Sequence, residues 1–142
     1  MELTIKNAIS FAEMAHLGQV DRAGVDYMNH VMAVYKNAKS MGGSDVALIS
    51  AILHDTVEDT EATIEEIEMC FGSDIARVVS LVTKVGASDA DYYAGIKSDK
   101  DATLVKIADM THNRDMTRLD VIGPDDIARV EKYKKWYSYL MN

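Results

Sequence analysis

The chain contains four histidines, His16, His30, His54 and His112. His54 is followed at once by Asp55, and Glu58 and Asp59 come just after, in the run Leu53-His54-Asp55-Thr56-Val57-Glu58-Asp59-Thr60. An adjacent His-Asp pair offers a metal ion both an imidazole nitrogen and a carboxylate oxygen. Acids just beyond it could orient a water or take its proton. Three carboxylates and an imidazole packed this tightly repel one another unless a cation joins them. The simpler alternative, a histidine cation at a helix C-terminus, leaves Asp55 unexplained, because its charge is unfavourable at the same end. Far downstream, Lys106-Ile107-Ala108-Asp109-Met110-Thr111-His112-Asn113 sets another acid in an apolar run. A partly buried carboxylate there needs a partner. Two imidazoles and two carboxylates would form a mixed nitrogen and oxygen set suited to manganese, iron or zinc rather than calcium. His30, taken alone among apolar neighbours, reads first as a structural histidine.

These residues must be positioned by helices. Apolar residues recur at a helical period from Leu3 to about His16, and Gly18 breaks the pattern. Val20 to Gly24 reads as a charged turn, and Tyr27 to Tyr35 as a helix with His30 in its middle. Met41-Gly42-Gly43 is a stop, and Ser44 can cap a helix from Asp45 to Asp55 that is apolar nearly all round, hence central. Thr63-x-x-Glu66 is a capping-box pattern for a helix ending near Phe71-Gly72. Ser73 caps the next, with Ile75, Val78, Val79 and Val82 inward. Gly86 to Asp91 is a polar break, and Tyr92 to Ser98 is helical. Asp101 can cap the helix that carries Asp109, His112 and Asn113 on one face. Arg114 to Gly123 reads as a loop, and Pro124 suits the first turn of a last helix running to about Leu140.

The bulk numbers agree. The chain has 142 residues, 48% of them apolar, with one proline. It is the size of one domain, 1–142, and leans to helix. The net charge of −8 opposes binding to nucleic acid or an anionic membrane. A phosphorylated substrate then needs a metal or a local basic cluster. Cys70 is the only cysteine, which excludes an intrachain disulfide and reads as a small buried residue. No signal-peptide pattern or membrane-length apolar run is present, so a soluble, cytoplasmic protein is expected.

The ordered segments Ala15-His16-Leu17-Gly18-Gln19-x-x-Arg22-x-Gly24-x-x-Tyr27-x-x-His30, His54-Asp55-x-x-Glu58-Asp59-Thr60 and Lys106-x-Ala108-Asp109-x-x-His112-Asn113 together resemble the hydrolase domain of the RelA/SpoT family, within the HD superfamily of metal-dependent phosphohydrolases. Its small alarmone hydrolases match in size. The resemblance implies an all-α, compact HD-domain bundle of about eight helices. It implies one Mn2+ held by His30, His54, Asp55 and Asp109, with Glu58 and Asp59 acting on the attacking water. It implies a small-molecule nucleotide substrate met by Arg22, Asn113 and an Arg129–Tyr133 pair on one helix face. The implied reaction removes the 3′-pyrophosphate from guanosine 3′,5′-bis(diphosphate). His112 is expected to orient a carboxylate, and His16 to pin the loop before His30.

The chain departs from the family pattern at three places, one of them the run Asn113-Arg114-Asp115-Met116-Thr117-Arg118-Leu119 after the His-Asn pair. Asp21-Arg22 stands where the family has Arg-Lys, and Asp26 where it has Pro. Swapping Arg for Asp reverses a charge and removes a planar stacking group. An adenosine alarmone, NADPH or another nucleotide is therefore an alternative substrate, and a non-catalytic nucleotide sensor an alternative role. The retained Glu58 and Asp59 argue against the sensor, and the Gly-Gln-x-x-Arg-x-Gly-x-x-Tyr segment against a simpler HD enzyme. Oligomeric state is not legible.

Overall fold

A computed structural model describes residues 2–114 and 122–142. Among them the chain forms nine helical segments and no strand. They are α1 (Glu2–Ala15), α2 (Met28–Ser40), α3 (Asp45–Leu53), α4 (Thr56–Asp59), α5 (Ile64–Phe71), α6 (Ser73–Val82), α7 (Asp89–Lys97), α8 (Lys100–Asn113) and α9 (Pro124–Met141). Eight are full helices and α4 is a single turn, so the expected all-helical bundle is present. Most of the expected loop from Arg114 to Gly123 falls on residues 115–121, outside the described residues.

Helix α3 is the axle. It packs on α1, α2, α6 and α8. Ala47 and Ala51 face a core shared with α2, α7, α8 and α9. Ile49, Ile52 and Leu53 face a second core shared with α1, α5 and α6. An apolar surface on every side is what such a position requires. Burying each of Ile49, Ile52 and Leu53 contributes about 2 kcal/mol, and all three are essentially inaccessible to solvent. That burial anchors the polar end of α3 in the interior.

Local signals set the boundaries. The Ser44 hydroxyl accepts from Ala47 N at 3.1 Å and donates to Asp101 at 2.8 Å. Asp101 therefore braces the start of α3. The cap of α8 is Asp99, which accepts from Ala102 N at 2.9 Å, not the expected Asp101. Thr63 and Glu66 make the predicted capping box. Gly72, at φ 97°, supplies the left-handed residue that lets α5 end and α6 begin without a loop. Pro124 opens α9. Helix α3 stops at Leu53 rather than Asp55, and His54-Asp55 form a turn into α4. Cys70 is exposed, against expectation. Ile64, Ile67 and Phe71 form the inward stripe of α5, and Cys70 lies to one side of it.

Candidate metal centre and the cavity beside it

Three elements deliver the polar residues to one point. Helix α2 carries His30, the turn after α3 carries His54 and Asp55, and α8 carries Asp109. One ligand atom from each lies within 4.8 Å of the others. His30 Nε2 stands 2.9 Å from Asp109 Oδ1 and 3.6 Å from Asp55 Oδ2. His54 Nε2 stands 2.9 Å from Asp55 Oδ2 and 3.3 Å from Asp109 Oδ1. Donors gripping one ion at about 2.1 Å each stand about 3–4 Å apart, so these spacings fit a divalent cation.

The outer shell fixes which nitrogens face inward. His54 Nδ1 donates to the Ala51 carbonyl at 2.7 Å, so Nε2 keeps its lone pair for the cluster. His30 Nδ1 lies 2.7 Å from His112 Nδ1. With Nε2 of His30 facing the cluster, His30 donates and His112 accepts. Expected to orient a carboxylate, His112 meets this imidazole among the cluster residues. Asp109 is buried. Its Oδ2 accepts from Lys106 Nζ at 3.3 Å, and Oδ1 from Asn113 Nδ2 at 3.0 Å. The Tyr27 hydroxyl donates to Asp55 Oδ2.

Electrostatics reinforce the picture. Burial raises the Asp109 carboxyl, but the Lys106 and His54 charges outweigh it and hold the group well below the usual range. Burial lowers His54, but Asp55 and Asp109 outweigh it and raise the imidazole well above its ordinary value. A divalent ion held here would take the place of any proton on His54 Nε2.

Glu58 and Asp59 sit one turn beyond. Glu58 Oε1 accepts from Lys84 N at 2.6 Å, which ties it to the start of the α6–α7 connection. Desolvation, then the charges of Asp55 and Glu58, push the Asp59 carboxyl up to about 6. An acid of that strength is a competent base at neutral pH. His16 is buried, with Nδ1 2.9 Å from Gln19 Oε1 and its ring 4.7 Å from that of Tyr27. It holds the loop ahead of α2.

A cavity of about 250 Å³ opens beside His30. Arg22, Tyr27, Asn113, Arg129 and Tyr133 line it. All four residues expected to meet substrate thus share one space with a cluster histidine. The Arg129 guanidinium lies 5.8 Å from the Tyr133 ring centre, a cation–π contact that places both on one face of α9. Arg22 is held by Asp126, its Nη2 2.6 Å from Oδ1. Asp21 also borders the cavity. Its Oδ1 accepts from Ala23 N at 2.8 Å and Val25 N at 3.1 Å, closing the loop. A larger groove, about 1270 Å³, runs between α1 and α4–α5 and reaches Asp59.

Sequence reasoning missed Tyr27, Lys106 and Asp126 as participants. Tyr27 and Lys106 each precede a cluster residue by three positions, a helical neighbour spacing. That spacing was a usable signal. Asp126 lies 104 residues from Arg22 and gave none.

A helical bundle that presents His30, the His54-Asp55 pair and Asp109 around one point defines a class. Residues 8–116 match the HD domain family. The chain belongs to that family and is a relative of the MESH1 proteins. It is 36% identical to the guanosine-3′,5′-bis(diphosphate) 3′-pyrophosphohydrolase MESH1 of Xenopus tropicalis, over 96% of this chain and 82% of that one. The human MESH1 is 34% identical, over 94% and 80%. A probable guanosine-3′,5′-bis(diphosphate) 3′-pyrophosphohydrolase of Synechocystis is 32% identical over 92% of this chain. The chain spans about a fifth of the length of that relative, 19%. A solved structure described as a metazoan ortholog of SpoT that hydrolyzes ppGpp superposes with a TM-score of 0.81, over 98% of this chain and 85% of that one, at 23% identity. It shares the fold. Among the described residues no helix is long and apolar enough to cross a membrane.

Proposed function

We propose that the chain is a metal-dependent pyrophosphohydrolase that removes the 3′-pyrophosphate from guanosine 3′,5′-bis(diphosphate) or a closely related nucleotide. The observation that carries the reading is the convergence of His30, His54, Asp55 and Asp109 from three elements. The MESH1 relatives support the substrate class, since this chain covers four-fifths of their length. In this reading those four residues hold one divalent ion, and manganese suits the two-nitrogen, two-oxygen set. Such an ion supplies Lewis acidity and makes water nucleophilic near neutral pH.

The protein's own groups do the rest. Asp59 takes the proton of the attacking water, with a carboxyl poised near 6. Glu58, fixed by Lys84 N, orients that water. Arg22 and Arg129 pair with substrate phosphate, and Arg forks suit phosphate oxygens. Asn113 and Tyr133 complete the cavity wall beside them. The enzyme is cytoplasmic in this reading, with residues 1–142 forming one domain that acts on a small molecule, and with neither nucleic acid nor membrane as partner.

One observation favours a second substrate. Asp21 puts a negative charge at the cavity edge and is committed to closing its own loop. The alternative is an adenosine alarmone or NADPH, because Asp21 stands where the family pattern has a planar cation that can stack on the base. The test is a panel of 3′-phosphorylated nucleotides incubated with manganese or with chelator, products identified by mass. Pyrophosphate release from the guanosine compound with metal alone is expected. Tight binding without product under every metal would overturn the reading in favour of a sensor.

A further inference from the structure

The cations of the small cavity are already engaged by the protein's own acids. Asp126, buried in the first turn of α9, uses its two oxygens differently. Its Oδ2 accepts from Gly123 N at 3.0 Å and so closes the turn. Its Oδ1 faces two guanidinium groups. Arg22 reaches it with Nη2 at 2.6 Å and Nε at 3.2 Å, and Arg129 Nη2 stands 3.7 Å away. One carboxylate thus occupies the place where two arginines converge, as a bound oxyanion would. Arg129 Nε is buried and has no partner among the described residues, so that guanidinium keeps an unused donor. Across the opening Asp21 adds a second negative charge. Among the described residues Asp126 therefore offsets part of the positive charge that Arg22 and Arg129 bring to the cavity wall.

We infer that Asp126 is a specificity-determining residue: it holds Arg22 and Arg129 in place as an internal anion and limits how much negative charge the cavity accepts. The inference rests on the cavity being the substrate's phosphate site. Two arginines without an opposing acid would favour a doubly charged group steeply over a singly charged one, because the attraction scales with the ligand's charge. With Asp126 present that preference is reduced. The cavity thereby takes a singly charged phosphate group nearly as readily as a doubly charged one. The pyrophosphate to be removed stays with the metal cluster. Asp126 also links the loop before α2 to α9 through Arg22, so the same contact fixes the shape of the opening.

The test avoids turnover, so it can fail while the hydrolase reading stands, and the reverse. Metal-loaded protein is titrated with sulfate, a dianion, and with methanesulfonate, a monoanion of similar shape. Binding is read from the arginine Nε–H resonances of Arg22 and Arg129. In the wild type the two anions should bind within about threefold of each other. Asp126→Asn keeps an oxygen for Gly123 N and removes the charge. It should tighten sulfate by about tenfold and methanesulfonate by about threefold, the latter carrying half the charge. Asp126→Ser, which can also accept from Gly123 N, is the second variant and should shift the ratio the same way. A purely structural role would leave that ratio unmoved. An unchanged ratio in folded variants overturns the inference. So does a strong sulfate preference already present in the wild type, or the absence of any response at the two arginines. The wild-type measurement decides even if neither variant folds.

Discussion

His112 makes a sharp test of how the centre is held. Its Nδ1 lies 2.7 Å from Nδ1 of His30, whose ring is buried. Replacing His112 with Phe keeps a ring in the space and removes the acceptor. The His30 N–H is then left without its partner, and such a loss costs about 1–3 kcal/mol. His112 is only partly buried, so water can reach some of the vacated position, and the lower part of that range applies. Roughly 1–2 kcal/mol corresponds to about 5- to 30-fold in an equilibrium constant. The cost falls on metal affinity, because His30 can rotate to satisfy its N–H only by withdrawing Nε2 from the cluster. Competition with a fluorescent chelator measures that affinity directly. His112→Gln, which restores an acceptor oxygen, should recover part of the loss. In a His30→Ala background His112→Phe should cost nothing further, the signature of coupling through one bond. Wild-type metal affinity in His112→Phe would refute the idea that this imidazole orients His30.

Other outcomes follow from the acids beyond the cluster. Glu58→Gln retains an oxygen to accept from Lys84 N and loses the charge, so metal content measured by elemental analysis should stay at the wild-type level while turnover drops by about 10²- to 10⁴-fold. Asp59→Asn should abolish most turnover and yet stabilise the metal-free protein at neutral pH. The Asp59 carboxyl is pushed up to about 6 in the folded state. A raised carboxyl binds its proton more tightly when folded, so its penalty is full above about pH 6. The penalty fades as pH falls toward the ordinary carboxylate range. Urea denaturation at pH 7.5 and pH 4 should therefore show a gain for Asp59→Asn at the higher pH only, and a gain of equal size at both would contradict the assignment.

What the sequence made legible is local. His54, Asp55, Glu58 and Asp59 are neighbours along the chain, and one turn of backbone brings them together whatever surrounds it. Asp109 and Asn113 share a face because a helix repeats every 3.6 residues. Helix α3 is central because no side of it tolerates water. Contacts made across elements were hidden. The His30–His112 bond joins α2 to α8, and the Tyr27–Asp55 bond joins a loop to the turn after α3. The Arg22–Asp126 pair depends on how α9 returns over the bundle. Cys70 was misplaced for a related reason. Residue type alone favours burial, but the facing of α5 is set by Ile64, Ile67 and Phe71, and these leave Cys70 outside.

Asp21 shows how a departure from the family pattern changes meaning once its contacts are known. In sequence it reads as a lost cation, and restoring Arg would be the natural experiment. In the fold its carboxylate closes the turn through Ala23 N and Val25 N. Asp21→Arg therefore mixes two effects, a gained positive charge and an opened loop. Asp21→Asn separates them, because an amide oxygen still accepts both backbone donors while the negative charge is gone. If the charge at this edge weakens recognition of a highly phosphorylated guanosine nucleotide, Asp21→Asn should lower KM for that substrate with the loop intact, by about fivefold for one screened unit charge. Asp21→Arg should give a smaller benefit than its larger charge change implies. A lower KM in Asp21→Arg with none in Asp21→Asn would mean that the guanidinium itself, stacked on the base, is what the family pattern supplies and this chain has replaced.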